Sequence, residues 1–416
     1  MKVPLAIVGC GGMGGRHLLG FQELAKTSIN NINLVAVCDT RRDNAEHLAD
    51  EAQKQLGKRP RVFGDMAMMI SDINDLQGVI ITTDARAHHV VVCEAFNLGL
   101  HVLCEKPLGL TIRGCNCILK AQDKSGKKLS VAENYRRDPM SRLTKAIIDA
   151  GTIGRPQLFI DASAGGGNRI IITPWRHKKL MGGMLLDGGV HNADMMLYYV
   201  GDVRQIFARI ALWEKTRIHP HGAGSVSSFY ERWSAEMPTT IEATAEDTLV
   251  AVIDFTSGVM GQWTQSYAAH GQGLGNKAIF GSQGNIRPGG IRNGESPVLS
   301  RDGEENVTGD TLLNLVPNFH LDKITSELFG NDRIAFYRIP FPEADRKLLA
   351  IELYEFADCI LHDKPLEVDG VVGRQAVALC YSAFESSILN RPVTPKEIET
   401  ELTGVYESEI NIDLGI

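Results

Sequence analysis

The run Gly182-Gly183-Met184-Leu185-Leu186-Asp187-Gly188-Gly189-Val190-His191-Asn192-Ala193-Asp194 places two carboxylates around one imidazole. Asp187 precedes His191 by four residues and Asp194 follows it by three, so on one helix all three would share a face. A carboxylate beside an imidazole fixes its tautomer and raises its basicity, which suits a general base working near neutral pH. The same spacing also describes an ordinary surface ion pair, and spacing alone does not choose between the two.

A second set of residues lies near the start. The apolar run Val3 to Val8 leads into Gly9-Cys10-Gly11-Gly12-Met13-Gly14, a G-x-G-x-x-G pattern that opens a helix. In such a turn Gly9 permits the tight bend, Gly11 lets backbone approach a pyrophosphate and Gly14 allows close packing of helix on strand. The free N–H groups of the helix start attract the anion. Asp39, at the end of the next strand, is placed to accept hydrogen bonds from adenosine ribose hydroxyls, which favours NAD. Arg41 and Arg42 just beyond it keep NADP as the second candidate, since a guanidinium there would suit a 2′-phosphate. Further on, Glu105-Lys106-Pro107 follows a strand ending at Cys104, setting charged side chains at the sheet edge where doubly wound folds bind ligands. The Lys106-Pro107 bond is expected to be cis.

The elements that must position these groups follow two grammars. From residue 3 to about 131, apolar strands (Val3 to Val8, Leu34 to Cys38, Val79 to Thr82, His101 to Cys104, Leu129 to Ala132) alternate with helices over 13–26, 41–56, 86–98 and 110–124. That is a parallel sheet with right-handed crossovers and helices on both faces. After about residue 150, alternating patterns in Gln157 to Ala164, Arg204 to Trp213, Thr248 to Phe255 and Val259 to Tyr267 predict longer antiparallel strands with one face covered or solvated. A helix over Leu185 to Tyr199 is expected among them, and two more over Asp345 to Leu361 and Gly373 to Ser387. The Gly- and polar-rich stretches 214–245 and 284–318 read as long loops or insertions.

With 416 residues the chain is long enough for two or three domains with their own cores. Its 43 Lys and Arg against 50 Asp and Glu leave a net charge of −7, which disfavours nucleic acid and anionic membranes as partners. No apolar run approaches a membrane span, and the opening strand is too short for a secretory signal, so a cytoplasmic location is expected. The eight cysteines lie mostly in apolar runs as small hydrophobes, and the close pair Cys115 and Cys117 matches neither a zinc nor a redox motif, so no metal is expected.

Taken together, Gly9 to Gly14, Glu105-Lys106-Pro107 and the Asp187 to Asp194 run resemble the glucose-fructose oxidoreductase/inositol dehydrogenase (Gfo/Idh/MocA) family. The similarity covers nearly the whole chain, through Thr82-Thr83 with His88, Asn134-Tyr135-Arg136 with Pro139, Gly154-Arg155-Pro156, Trp175-Arg176 and the closing Arg391-Pro392-Val393. It departs where Asp84 stands in place of a usual proline, and in carrying several tens of extra residues. The resemblance implies an α/β Rossmann domain over 1–135 that binds NAD(P). An α+β domain over 136–416, with a large, predominantly antiparallel open sheet, would bind substrate and form a homo-oligomer, a dimer or tetramer.

By the same resemblance Lys106, Asp187 and His191 would be the catalytic set. His191 would act as acid and base, Lys106 as the cation that orients the hydroxyl and steadies the alkoxide, and Asp187 as their orienting counter-charge, with the reverse proton assignment to Lys106 left open. Gly9, Gly11, Gly12, Met13, Gly14, Asp39, Arg41, Thr82, Thr83, His88, Glu105 and Lys106 would meet the cofactor. Asn134, Tyr135, Arg136, Trp175, Arg176 and Asn192, with Lys106, Asp187 and His191, would meet a small polyol. The implied reaction is oxidation of a secondary hydroxyl of a sugar, glycoside, sugar acid or cyclitol, or its reverse. The alternatives are a glycosidase that returns the hydride to its substrate, and a non-catalytic nucleotide sensor.

Overall fold

The structure is a computed structural model and describes residues 2–219 and 228–416. The first half alternates strand and helix. Its elements are β1 Val3–Val8, α1 Gly12–Ala25, β2 Ile32–Cys38, α2 Arg42–Leu56, β3 Arg61–Phe63, α3 Met66–Asp72, β4 Gly78–Ile81, α4 His88–Asn97, β5 His101–Glu105, α5 Ile112–Ser125 and β6 Leu129–Ala132. The six strands pair in parallel in the order β3-β2-β1-β4-β5-β6. All residues of β1, β4 and β6 are buried, as their uninterrupted apolar runs require of a sheet covered on both faces. The sequence reading lacks β3 and α3. A strand of three residues gives too short a pattern to show a period, and α3 is barely two turns long.

The second half begins with α6 Pro139–Asp149, started by the Asp138 side chain accepting from the Met140 N–H, and continues with β7 Pro156–Gly166, α7 Gly183–Asp187 and α8 Gly189–Val200. The strands β8 Val203–Ala211, β9 Thr216–Ile218, β10 Thr240–Glu242, β11 Thr248–Phe255, β12 Met260–Ala269, β13 Leu274–Gly281, β14 Gly284–Arg287 and β15 Val298–Ser300 follow. The helices α9 Lys323–Phe329, α10 Phe341–His362 and α11 Gly370–Leu389 come next. Seven strands form a sheet in the order β15-β14-β13-β7-β12-β11-β8, antiparallel except for the parallel β7–β12 pair. Alternation along β11 buries Leu249, Ala251 and Ile253 and exposes Val250 and Val252, so one face of this sheet is core and the other is open. α11 packs beside the edge strand β8, whose Ala208 and Ile210 N–H groups donate to the Ser386 and Ser387 hydroxyls.

Two expectations need correction. The predicted single helix over Leu185 to Tyr199 is two helices meeting at Gly188. A Cβ on Gly188 would lie 2.2 Å from the Tyr267 hydroxyl oxygen, so a side chain there would have to displace the Tyr267 phenol. The stretches 214–245 and 284–318 are not simply loops. The first holds the β9–β10 ribbon and a 3-10 segment Ser228–Glu236, while 220–227 lie outside the described residues; the second holds β14, β15 and a 3-10 turn. Strands of three or four residues leave too short a periodic trace to be read from a single sequence.

Candidate functional site

The carboxyl ends of β1, β4, β5 and β6 deliver Gly9, Thr82, Glu105-Lys106 and Glu133 to one edge of the parallel sheet. Against that edge stand the α7–α8 junction and segments 171–176 and 228–236. They enclose a cavity of about 500 Å3 lined by Gly11, Met13, Thr83, Lys106, Asp187, His191 and residues described below. A second cavity of about 350 Å3, lined by Gly9, Gly11, Asp39, Thr82 and Thr83, adjoins it through Gly11, Thr82, Thr83 and Asp84.

The smaller cavity and its rim fit a dinucleotide. Gly9 has φ 96° and a Cβ there would meet the Thr83 nitrogen at 2.7 Å; one on Gly14 would meet the Gly9 oxygen at 2.4 Å, so the turn is packed to contact. In front of Gly11, by contrast, an added Cβ meets nothing, and no side chain caps the start of α1. Unfilled space at an uncapped helix start is what a pyrophosphate needs. The Asp39 carboxylate lines the smaller cavity, held by the Cys10 N–H at 2.6 Å and the Arg41 N–H at 2.7 Å. Arg41 lines neither cavity; its guanidinium lies toward Asp43 and Glu236, and Arg42 toward Glu46. A carboxylate facing the ribose and no guanidinium turned to it suit NAD. His88 ties the rim together, with Nδ1 2.8 Å from the Pro107 oxygen and Nε2 3.2 Å from the Thr83 oxygen; the Lys106-Pro107 bond is cis. Glu105 lines the larger cavity but is anchored to buried His17 at 2.8 Å.

In the larger cavity Lys106 Nζ donates to the Asp187 carboxylate at 2.9 Å and to its carbonyl at 3.0 Å, and Arg176 Nε donates to the other carboxylate oxygen at 2.7 Å. Burial alone would raise the Asp187 carboxyl; Arg176 and Lys106 overcome it and hold it well below the usual carboxylate range. His191 does not pair with Asp187. Its Nδ1 lies 2.7 Å from a Glu133 oxygen, leaving Nε2 as the ring nitrogen free to meet a ligand. Burial lowers the imidazole below its ordinary 6.5; the Glu133 carboxylate opposes, and the Lys106 and Arg292 charges add to the lowering. At neutral pH the pair is therefore carboxylate and neutral imidazole, with the Nδ1 proton directed at Glu133. Tyr135 stacks on His191, centroids 4.1 Å apart and rings within 5° of parallel.

Of the residues expected at the polyol, the cavity gathers Lys106, Tyr135, Trp175, Arg176, Asp187 and His191. It does not gather Asn134, Arg136 or Asn192. Arg136 is spent on Asp194, Nε to Oδ2 at 2.8 Å, with Tyr198 beneath it. The expected common face of Asp187, His191 and Asp194 is thus corrected. Asp187 faces Lys106 and Arg176, His191 faces Glu133, and Asp194 turns inward to Arg136. Residues absent from the sequence reading also line the cavity: Arg16, Ile171, Ile172, Met184, Tyr230, Tyr267 and Arg292, with Glu133 directly behind His191. Glu133 had a signal, its place just beyond β6 at the same sheet edge as Lys106. Tyr230 and Arg292 had none, because they arrive from the two stretches read as loops. Among the described residues no group of His, Cys, Asp or Glu is arranged to hold a metal ion, and no helix is long and apolar enough to cross a membrane.

Known proteins carry the same two-part plan. A family model described as an oxidoreductase family with an NAD-binding Rossmann fold matches residues 3–133, and a GFO/IDH/MocA C-terminal domain model matches 141–287. Inositol 2-dehydrogenase of Salmonella typhimurium is 36% identical over 160 residues, 38% of this chain and 44% of that protein, so the match spans less than half of that relative's length. Myo-inositol 2-dehydrogenase of Thermotoga maritima is 25% identical over 95% of this chain and 99% of its own. Among solved structures, levoglucosan dehydrogenase in complex with NADH and levoglucosan superposes with a TM-score of 0.70 at 21% identity, over 94% of this chain and 99% of that one. With both halves matched in order by the two models of one family, the chain belongs to the Gfo/Idh/MocA family of NAD-binding oxidoreductases.

Proposed function

We propose that this protein is an NAD-dependent dehydrogenase that oxidises a secondary hydroxyl of a sugar, glycoside, sugar acid or cyclitol to a ketone, or runs the reverse. The observation that carries the reading is the meeting of Lys106, Asp187 and His191 in one cavity that opens onto the Gly9–Gly14 turn. NAD, when bound, supplies the nicotinamide carbon that accepts the hydride. The chain's own residues supply the rest. His191 Nε2 takes the hydroxyl proton, and Glu133 on Nδ1 fixes the tautomer that leaves Nε2 unprotonated and steadies the imidazolium that forms. Lys106 donates to the reacting oxygen and stabilises its developing negative charge, while Asp187 holds the ammonium in place. Trp175, Tyr135 and Tyr267 give the apolar walls with polar tips that a polyol needs.

In this reading residues 1–135 hold the cofactor and bring Lys106 and Tyr135 to the substrate, and 136–416 supply the rest of the substrate side. The exposed sheet face bearing Phe207, Val250, Val252 and Met260 would seat a second copy of the chain. Light scattering of the purified protein tests the last point, and a monomer at micromolar concentration removes it. For the reaction, NADH absorbance is followed with NAD across hexoses, hexonates, inositols and glycosides, with product chromatography on each. NADH together with a keto product is the expected result. Product without NADH would replace the dehydrogenase with hydride-returning chemistry.

A further inference from the structure

Arg292 belongs to the connection between β14 and β15, yet it ends in the catalytic cavity beside His191. It is held from every side. Its φ of 62° is a conformation that side-chain-bearing residues rarely adopt, and its N–H donates to Asp138 Oδ2 at 2.8 Å. The guanidinium lies between two rings, 5.1 Å from the centroid of Tyr135 and 4.8 Å from that of Phe341. Nη1 donates to Asp345 at 2.9 Å and Nη2 to the Tyr135 hydroxyl at 3.1 Å. Each terminal nitrogen keeps one further N–H beyond these bonds.

Asp345 also carries Arg16, through Nε at 2.7 Å and through Nη2, so one carboxylate serves two guanidiniums. Both guanidiniums line the cavity, whereas Asp345 sits behind them with its side chain 3% exposed. Of the other carboxylates of the lining, Asp84 accepts from the Arg86 N–H, Asp187 lies between Lys106 and Arg176, and Glu105 is bonded to His17 while its charge also acts on Arg16. A rigid planar fork that lines the cavity and keeps one spare N–H on each terminal nitrogen matches a carboxylate. A single hydroxyl oxygen does not match both arms of such a fork. Tyr135 contacts both His191 and Arg292, its ring centroid 4.1 Å from that of the imidazole and 5.1 Å from the guanidinium, so a hexose-sized molecule can reach both.

We propose that the substrate of this site is a carboxylate-bearing polyol, a sugar acid rather than a neutral sugar or cyclitol, and that Arg292, with Arg16 in front of the same counter-charge, binds its carboxylate. This rests on the dehydrogenase reading for the reaction but not for the binding. The test is calorimetric titration of the NADH-loaded protein with hexonates, the hexitols of the same configuration and hexose phosphates, alongside turnover of each with NAD. Hexonates are expected to bind at least about tenfold more tightly than hexitols, the size of one charge-assisted hydrogen bond. In Arg292→Met that ratio is expected to fall to within about twofold, and Arg292→Lys to retain part of it, with thermal unfolding of each variant as the folding control. Equal binding of hexonate and hexitol by the wild-type protein, or a preference that survives Arg292→Met, overturns the proposal. A stronger preference for phosphates overturns the carboxylate assignment. If no polyol reduces NAD, the dehydrogenase reading falls, and the carboxylate site is still judged by the titrations.

Discussion

At one end of the cleft Asp187 is held between Lys106 and Arg176; at the other Asp345 is held between Arg16 and Arg292. Both carboxylates are drawn below their ordinary range against the effect of burial, each by its pair of cations. The difference lies in what faces the ligand. Asp187 shares the cavity wall with its cations, so that end presents donors and an acceptor together, as a hydroxyl requires. Asp345 is behind its cations, so there the guanidinium donors stand in front of their carboxylate, as an anion requires. On the proposed reading, two similar ion-pair clusters would differ in function through the depth of one carboxylate.

The comparison breaks most visibly at the first end. Lys106→Met and His191→Asn should each lower kcat by roughly a hundredfold to ten-thousandfold, the range for loss of acid-base and charge-stabilising groups. A variant within threefold of wild type, about 0.7 kcal/mol in barrier, would remove that residue from the chemistry. Asp187→Asn and Asp345→Asn then separate the two ends. The first should act mainly on kcat. The second leaves two partly buried guanidiniums without their shared counter-charge and should cost about 3 kcal/mol of unfolding free energy in denaturant titration. Equal effects of both substitutions on kcat would erase the distinction.

The acid limb of kcat/KM sharpens the role of His191. The base must be neutral, and its pKa is lowered, so the limb should fall below the ordinary imidazole value of 6.5. Glu133 raises that pKa, so Glu133→Gln should move the limb to lower pH and reduce kcat by about tenfold. A limb found only above neutrality would give the proton to Lys106 instead. The smallest effects belong to the cofactor rim: Asp39→Ala should lower the preference for NAD over NADP by about tenfold, and Arg41→Ala should change it less than about twofold. Measured dissociation constants for the two cofactors decide this.

What could be read in advance was whatever is local. The Gly9–Gly14 turn, Asp39 and Lys106 each sit at the end of an apolar strand, so strand and function announce each other within a few residues. His191 and Asp187 were legible as residues but not as partners, because each is bonded by groups from elsewhere in the chain, Glu133 for one and Lys106 and Arg176 for the other. Glu133, Asp345 and Arg292 become functional only through contacts with residues 58, 329 and 53 positions away, and no periodicity encodes such meetings. The short strands β3, β9, β10, β14 and β15 were lost for a related reason: three or four residues hold barely one repeat of an alternating pattern.

The parallel stack of Tyr135 on His191 has a magnetic consequence. A phenol ring stacked 4.1 Å away and nearly parallel places the imidazole carbon-bound protons in its shielding cone. Their resonances should lie upfield of those of the chain's other histidines, which gives the proton-transfer group its own signal in a proton spectrum. Its chemical shift would follow the protonation of His191 directly, without substrate and without a label.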